Sequence, residues 1–398
     1  MKKTNGFKKN STISLFTGCG GLDLGFVGGF KSLGEKYAGL DFDVKWANDV
    51  DDSSCLSFEK NFKTRIVKGD IREILNGERS KLFDPPMPKK ADVVLGGFPC
   101  QDFSLAGKRR GFKGKRGLLY QAMVAVVKKT RPKVFVAENV KGLLSVTDGQ
   151  NKAIDIIKND FEKLGYHVKH RVYNSADFGV PQARERVIIV GTNKRKKLPP
   201  FKMPDPPFSK KDWTTLRQAI GDLENDAEGA IANHYWSKAK IFPGTQGNTF
   251  VSADSIGPTM RAEHHGNIEW HWNKKRRLSA REAARIQSFP DDFIFYPSTS
   301  QAYRQIGNAV PPVMAWYIAK SIQDFLQKHS KKESRRFTLI KTEFLKINSR
   351  SFWKEQESYR SKNFPGLNRP IHRRRLNSRP RCSRWLNWPA PERLSTGT

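Results

Sequence analysis

Seven short apolar, β-prone runs alternate with helix-forming stretches through the first half of the chain, at 12–16, 44–47, 65–67, 92–95, 134–137, 167–172 and 187–190. Helix candidates include 117–130 and 152–164. Strands that return in the same direction need crossovers of a dozen residues or more, so this rhythm implies an α/β fold with a mostly parallel sheet flanked by helices. It breaks at about residue 192. From there to about 275 come clustered prolines, Trp213, Trp236, Trp270 and Trp272, with little periodicity, which indicates a second, irregular domain. Helical patterning resumes at 279–288, with Ser279 as N-cap and Glu282 as its capping-box partner, and again at 312–327, with Pro311 and Pro312 suited to a first turn. No internal repeat is evident.

Charge narrows the class of partner. Lys plus Arg outnumber Asp plus Glu by 72 to 39, a formal net charge of +33. From Lys331 onward 18 basic and 5 acidic residues contribute +13, which leaves +20 on residues 1 to 330. A polyanionic partner is therefore expected for the body of the chain itself. The tail 331–398, rich in Arg, Ser, Pro and Trp, has the composition of a disordered segment. Cys19, Cys55, Cys100 and Cys382 show no paired spacing, so a reducing compartment fits best. No apolar run approaches the roughly 18 to 20 residues of a membrane span, and the first residues lack the apolar segment of a secretory signal. A cytoplasmic protein without membrane contact is expected.

Chemistry-bearing residues gather at the carboxyl ends of the strand candidates, where a parallel sheet presents its sites. Gly96-Gly97-Phe98-Pro99-Cys100-Gln101 puts one thiol in a glycine-flanked loop whose φ is fixed by Pro99, a suitable mount for a nucleophile. The first strand runs through Phe16 into Gly18-Cys19-Gly20-Gly21-Leu22-Asp23, a glycine turn opening a helix; its spacing is not that of a dinucleotide fingerprint. Asp49 and Asp70 follow the second and third strands, where acids can meet an adenosine that carries no phosphates. Glu138 ends the fifth candidate and could protonate or hydrogen-bond a ring nitrogen. Arg184 and Arg186 precede the seventh, placed either for a carbonyl and a phosphate or for structural ion pairs.

In identity and order these segments resemble the DNA (cytosine-5) methyltransferases: Phe16-Thr17-Gly18-Cys19-Gly20-Gly21, Phe98-Pro99-Cys100-Gln101, Glu138-Asn139-Val140, Gln182-Ala183-Arg184-Glu185-Arg186, Arg277 through Pro290, and Tyr303 through Pro311. The resemblance covers about residues 11 to 328. It implies a Rossmann-like S-adenosylmethionine-dependent methyltransferase sheet formed by 11–191 plus 302–330, with a smaller target-recognition domain at 192–301. It also implies a cofactor site of Phe16, Gly18, Gly20, Gly21, Leu22, Asp49, Asp70, Ile71, Pro99 and Asn308. In that site Phe16 would lie against the adenine, Asp49 on the ribose, Asp70 at the adenine amino group and Asn308 near the methionine carboxylate. The family usually carries Glu where Asp49 stands, so the ribose contact here is expected to be longer or bridged by water.

The implied reaction starts with addition of the Cys100 thiolate to C6 of a cytosine flipped out of the duplex. Glu138 would engage N3 and the exocyclic amine, Arg186 would bind O2, and Arg184 would support the loop or a phosphate. The basic, glycine-rich segment 101–118 could close over the DNA, and Thr259 and Arg261 could read bases. Double-stranded DNA is the expected partner, a restriction endonuclease of the same specificity is expected to act without a stable complex, and a monomer is expected. His264, His265 and His271 lack metal-ligand spacing, so no metal is expected. An RNA cytosine methyltransferase of the same fold and a non-catalytic DNA-binding homologue are the alternatives. The second is disfavoured by the joint presence of Cys100, Glu138 and Arg186.

Overall fold

A computed structural model describes residues 9–77, 79–99, 119–148, 150–240, 248–262 and 268–330. In chain order its elements are β1 (Asn10–Leu15), α1 (Gly21–Val27), the hairpin β2 (Phe30–Ser32) and β3 (Glu35–Tyr37), β4 (Phe42–Asp49), α2 (Asp52–Phe62), β5 (Val67–Lys68) and α3 (Ile71–Leu75). Then come β6 (Val93–Gly96), α4 (Leu119–Thr130), β7 (Val134–Val140), the hairpin β8 (Thr147–Asp148) and β9 (Asn151–Lys152), α5 (Ala153–Lys163), β10 (Tyr166–Asn174) and β11 (Glu185–Asn193). α6 (Leu216–Ile220), α7 (Ala280–Ile286), α8 (Thr299–Asn308) and a helix over 312–330, here α9, complete the order.

Seven strands form one sheet in the order β10-β11-β7-β6-β1-β4-β5. The five from β7 to β5 are mutually parallel, while β11 runs antiparallel to both β7 and β10. Side chains one residue apart in β6 face opposite helix layers, as a two-sided sheet requires. Val94 joins Phe135, Met123, Ile157 and Phe161 under α4 and α5, whereas Val93 and Leu95 join Phe26, Val313, Met314 and Ile318 under α1 and α9. The chain's last described helix thus returns to cover the first strands.

The expected segmentation is found with shifted ends. The expected strand at 65–67 shrinks to Val67–Lys68, and α8 is a helix that its sparse apolar pattern did not announce. Ser279 caps α7 as expected, accepting from the Glu282 amide while Glu282 accepts from the Ser279 amide.

The irregular stretch owes its order to buried arginines. Backbone without regular structure leaves interior carbonyls unpaired, and a guanidinium carries five donors to satisfy them. Arg277 donates to the carbonyls of Ala239, Lys240 and Ile268; Arg281 donates to those of Ala232, Pro290 and Phe293. Arg276 grips Glu282 with two bonds of 2.7 and 2.8 Å. Part of the basic excess is therefore interior scaffold rather than surface for a polyanion.

His234 and His271 are buried in the same cluster, and burial pulls both imidazoles below their ordinary range. The unfolded chain then binds more protons than the folded one below about pH 6.5. Relative to a His234→Gln/His271→Gln variant, wild type should lose stability as pH falls from 7 toward 5, by at most about 1.4 kcal/mol per pH unit per histidine. Denaturant midpoints across that range check this, and a constant difference would contradict it.

Candidate active site

The parallel sheet reverses its winding at β1, which lies between β4 and β6, and open α/β sheets bind ligands beyond the carboxyl ends of the strands at such a point. Immediately after β1, Phe16 and Gly18 adopt left-handed backbone at φ 53° and 56°. A Cβ added at Gly18 would meet nothing within 4 Å, so this turn exposes bare backbone to open space. It is held from behind. Thr17 donates its hydroxyl to the buried Asp23, whose carboxyl is pushed up to about 6 by burial, against hydrogen bonds from Thr17 and Ser14.

Asp49, which ends β4, and Asp70, which follows β5, are both engaged locally. Asp49 accepts from the Gly18 amide at 2.7 Å through one oxygen, and from the Val50 and Asp51 amides at 2.8 and 3.0 Å through the other. The shorter Asp side chain thus folds into its own loop, and Val50 beside it is 63% exposed. Burial raises the Asp49 carboxyl, partly countered by those amides. Asp70 caps α3 through the Arg72 amide and pairs with the Arg72 guanidinium, which lowers its pKa. Asn48 fixes the turn before it, donating to the carbonyls of Val67 and Gly69. The side chains of Leu22 and Ile71 belong to the core, so these residues can offer a ligand only backbone. Asn308 is exposed at the end of α8, and Pro99 is exposed after β6.

A second group forms where β7 meets β11. Their antiparallel register sets Ile188 opposite Glu138 and Arg186 opposite Val140. Arg186 Nε reaches Glu138 Oε1 at 2.9 Å, and both side chains are only 12% exposed. Burial raises the Glu138 carboxyl; the charges of Arg186 and Arg184 pull it back down. Glu138 also borders the β6 loop, since a Cβ on Gly97 would lie 3.2 Å from its Oε2.

Arg184 is buried, unlike an anion-binding residue of the surface. Its Nη1 donates to the Met260 carbonyl at 2.7 Å, and its Nη2 to those of Gly307 and Ala309 at 2.8 and 3.0 Å. Of the two roles expected for it, the structure provides the geometry of loop support. Thr259 donates to the Ala183 carbonyl, tying the same segment from the other side. Cys100, the segment 101–118, His264 and His265 lie outside the described residues; His271 is buried.

Sequence reasoning passed over Asn139 and Gln182. Buried Asn139 donates to the Phe98 carbonyl at 2.9 Å and accepts from the Val140 amide, so it fastens the loop leading to Pro99 onto β7. Gln182 donates to the Ile286 carbonyl and accepts from the Met260 amide, joining the start of β11 to α7. Both lie inside the segments that carry the resemblance, and the signal was an amide side chain one or two residues from a charged one. Asn139→Ala should reduce kcat about 10²-fold by letting the loop drift by about an ångström. The KM for the cofactor that the resemblance implies should stay within about twofold, and steady-state kinetics check both; unchanged kcat would contradict the role.

The model of the C-5 cytosine-specific DNA methylase family matches residues 10–255 and 246–324. The chain belongs to this family. It is a DNA cytosine-5 methyltransferase, as its relatives bear out. It is 40% identical over 344 residues to the Type II methyltransferase M.NgoFVII of Neisseria gonorrhoeae, spanning 79% of this chain and 86% of that one. Against the Type II methyltransferase M.FnuDI of Fusobacterium nucleatum it is 35% identical, spanning 82% and 99%. The solved structure of the Entamoeba histolytica methyltransferase EhMeth shares the fold, with a TM-score of 0.57 and 16% identity over 80% of this chain and 99% of that one. The Gly18 turn and the Glu138–Arg186 pair both lie toward the carboxyl ends of the parallel strands. No helix among the described residues is long and apolar enough to cross a membrane.

Proposed function

We propose that the protein methylates C5 of one cytosine within a specific duplex sequence, through a covalent bond between Cys100 and C6 of the flipped base. The observation that carries this reading is the buried Glu138–Arg186 pair beside the loop that leads into Pro99 and Cys100. C5 of cytosine is too weak a nucleophile to take a methyl group unaided. When the Cys100 sulfur adds to C6, the electrons of the C5–C6 double bond shift and the ring becomes enamine-like at C5. Glu138, kept protonatable by burial, supplies a proton or hydrogen bond at N3, and Arg186 holds O2. Once C5 carries the methyl group, loss of its hydrogen as a proton restores the double bond and expels the Cys100 thiolate, and N3 returns its proton.

The residues present fit S-adenosylmethionine. The open space at Gly18, the carboxylates of Asp49 and Asp70, and exposed Asn308 offer close main-chain approach, acceptors and an amide side chain to a nucleoside and an amino acid. When bound, that cofactor supplies an electrophilic methyl group. Phe16, Gly20, Gly21, Leu22, Ile71 and Pro99 complete the site in this reading. Asp49 presents the ribose only the lone pairs its own loop leaves free. Arg184 serves by position, holding the segments around Met260 and Gly307.

Residues 192–301 choose the target and 11–191 with 302–330 perform the chemistry. The protein acts as a monomer on cytoplasmic DNA and shields sites from an endonuclease of the same specificity; the Type II names of its relatives support this role. Bisulfite sequencing of DNA from cells expressing the protein tests the proposal. Protected cytosines in a single sequence context are expected, and full conversion everywhere would overturn it.

A further inference from the structure

The rim of the sheet opposite the active site carries a row of unpaired cations. Arg131 follows α4 and precedes β7, Lys128 and Lys129 lie in the last turn of α4, and Lys194 to Lys197 follow β11. All seven are exposed, and among the described residues none forms an ion pair. The acids nearby are Asp92, taken by Lys133 and Ser11; Asp160, near Lys163 and bonded to Tyr120; and Glu162. The helix dipole accounts for cations at the end of α4, but residues 194–197 form a single 3-10 turn, too short for a comparable field.

The loops bearing these charges are locked to one another. The Pro132 carbonyl accepts from both the Tyr166 hydroxyl and the Asn193 side chain, at 2.9 Å each. The Lys194 amide donates to the Gly165 carbonyl and the Asn193 amide to that of Lys133. Arg131 and Lys197 sit in left-handed backbone at φ 47° and 54°, a place where glycine usually stands. The chain thus keeps a cationic side chain where glycine would fit more easily.

We propose that this rim is a second binding surface for the phosphate backbone of a nucleic-acid duplex, separate from the catalytic cleft. The seven cations extend from the loop after β11, past the adjacent β7, to the last turn of α4, a strand spacing of about 4.8 Å plus a helix diameter of about 10 Å. One DNA strand carries a charge about every 3.4 Å, so such a row faces about four phosphates. Along β7, the five residue steps from Lys133 to Glu138 cover about 16 Å, too far for this rim to touch the flipped base. Its contacts are to phosphates alone and read no sequence. A protein holding two duplex segments can pass from one to the other without release into bulk solvent.

The test counts duplexes per protein at low salt, using the full chain and a short duplex with one target site. Wild type should bind two, and the Arg131→Gln/Lys194→Gln/Arg195→Gln/Lys196→Gln variant one, with methylation of the short duplex unchanged within about twofold. The affinity of the second duplex should fall with salt at a log–log slope of about −3.6, at about 0.9 per phosphate. A single duplex on wild type, or two on the variant, overturns the proposal. So does displacement of the second duplex by polyglutamate as effectively as by DNA, which would assign the rim to acidic polypeptide.

Discussion

Cys100→Ala should abolish methyl transfer, lowering the single-turnover rate by about 10⁴-fold or more while binding of the target duplex stays within a few-fold. The size follows from what the sulfur does: without addition to C6, no electron density reaches C5, and the remaining positioning has little to act on. Neither of the two described thiols can stand in. Cys19 and Cys55 are buried, and burial pushes the Cys55 thiol up to about 12 and the Cys19 thiol higher still. Methyl incorporation into a target duplex under single-turnover conditions measures the effect. A residual rate within about tenfold of wild type would remove Cys100 from the mechanism.

Glu138→Gln should lower kcat by about 10²- to 10³-fold, with a smaller change in DNA affinity. Gln keeps a hydrogen bond to Arg186 and nearly the same volume but cannot yield a proton at N3. The pH profile separates this from a loss of shape. Glu138 works protonated, and burial raises its carboxyl against the pull of Arg186 and Arg184. The wild-type rate should therefore fall as pH rises through the Glu138 pKa, and it should fall at acid pH as the Cys100 thiolate is protonated. In the Gln variant the alkaline limb should vanish and the acid limb remain. Retention of the alkaline limb in the variant would assign it to another group.

The alternation of short apolar runs was enough to read a mostly parallel sheet, because buried parallel strands are apolar on both faces and need helices between them. Its order was not legible. That β11 turns antiparallel against β7, and so brings Arg186 to Glu138, depends on pairing between segments 48 residues apart in sequence. The residue types of the site were legible; their pairing was not. α8 escaped notice because its apolar positions, Ala302, Tyr303 and Ile306, are few in a polar segment and share the buried face with Gln305. The irregular region was recognised as irregular, but its interior was not foreseen. In the sequence Arg184 fits loop support or a phosphate contact equally; its donation to buried carbonyls, like that of Arg277 and Arg281, is set by tertiary neighbours. Asp49 is a similar case: as an acid at a strand end it resembled a ribose ligand, and the structure shows how far its own loop already occupies it.

The central claim is the bond between Cys100 and C6, and substrate analogue trapping addresses it most directly. With fluorine at C5 of the target cytosine, the last step has no proton to lose, so the adduct should accumulate. Wild type incubated with 5-fluorocytosine duplex and S-adenosylmethionine should yield a protein–DNA species that survives denaturation and maps to the peptide containing Cys100, and Cys100→Ala should yield none. A denaturation-stable adduct at another residue, or none with wild type that is active on ordinary duplex, would contradict the account.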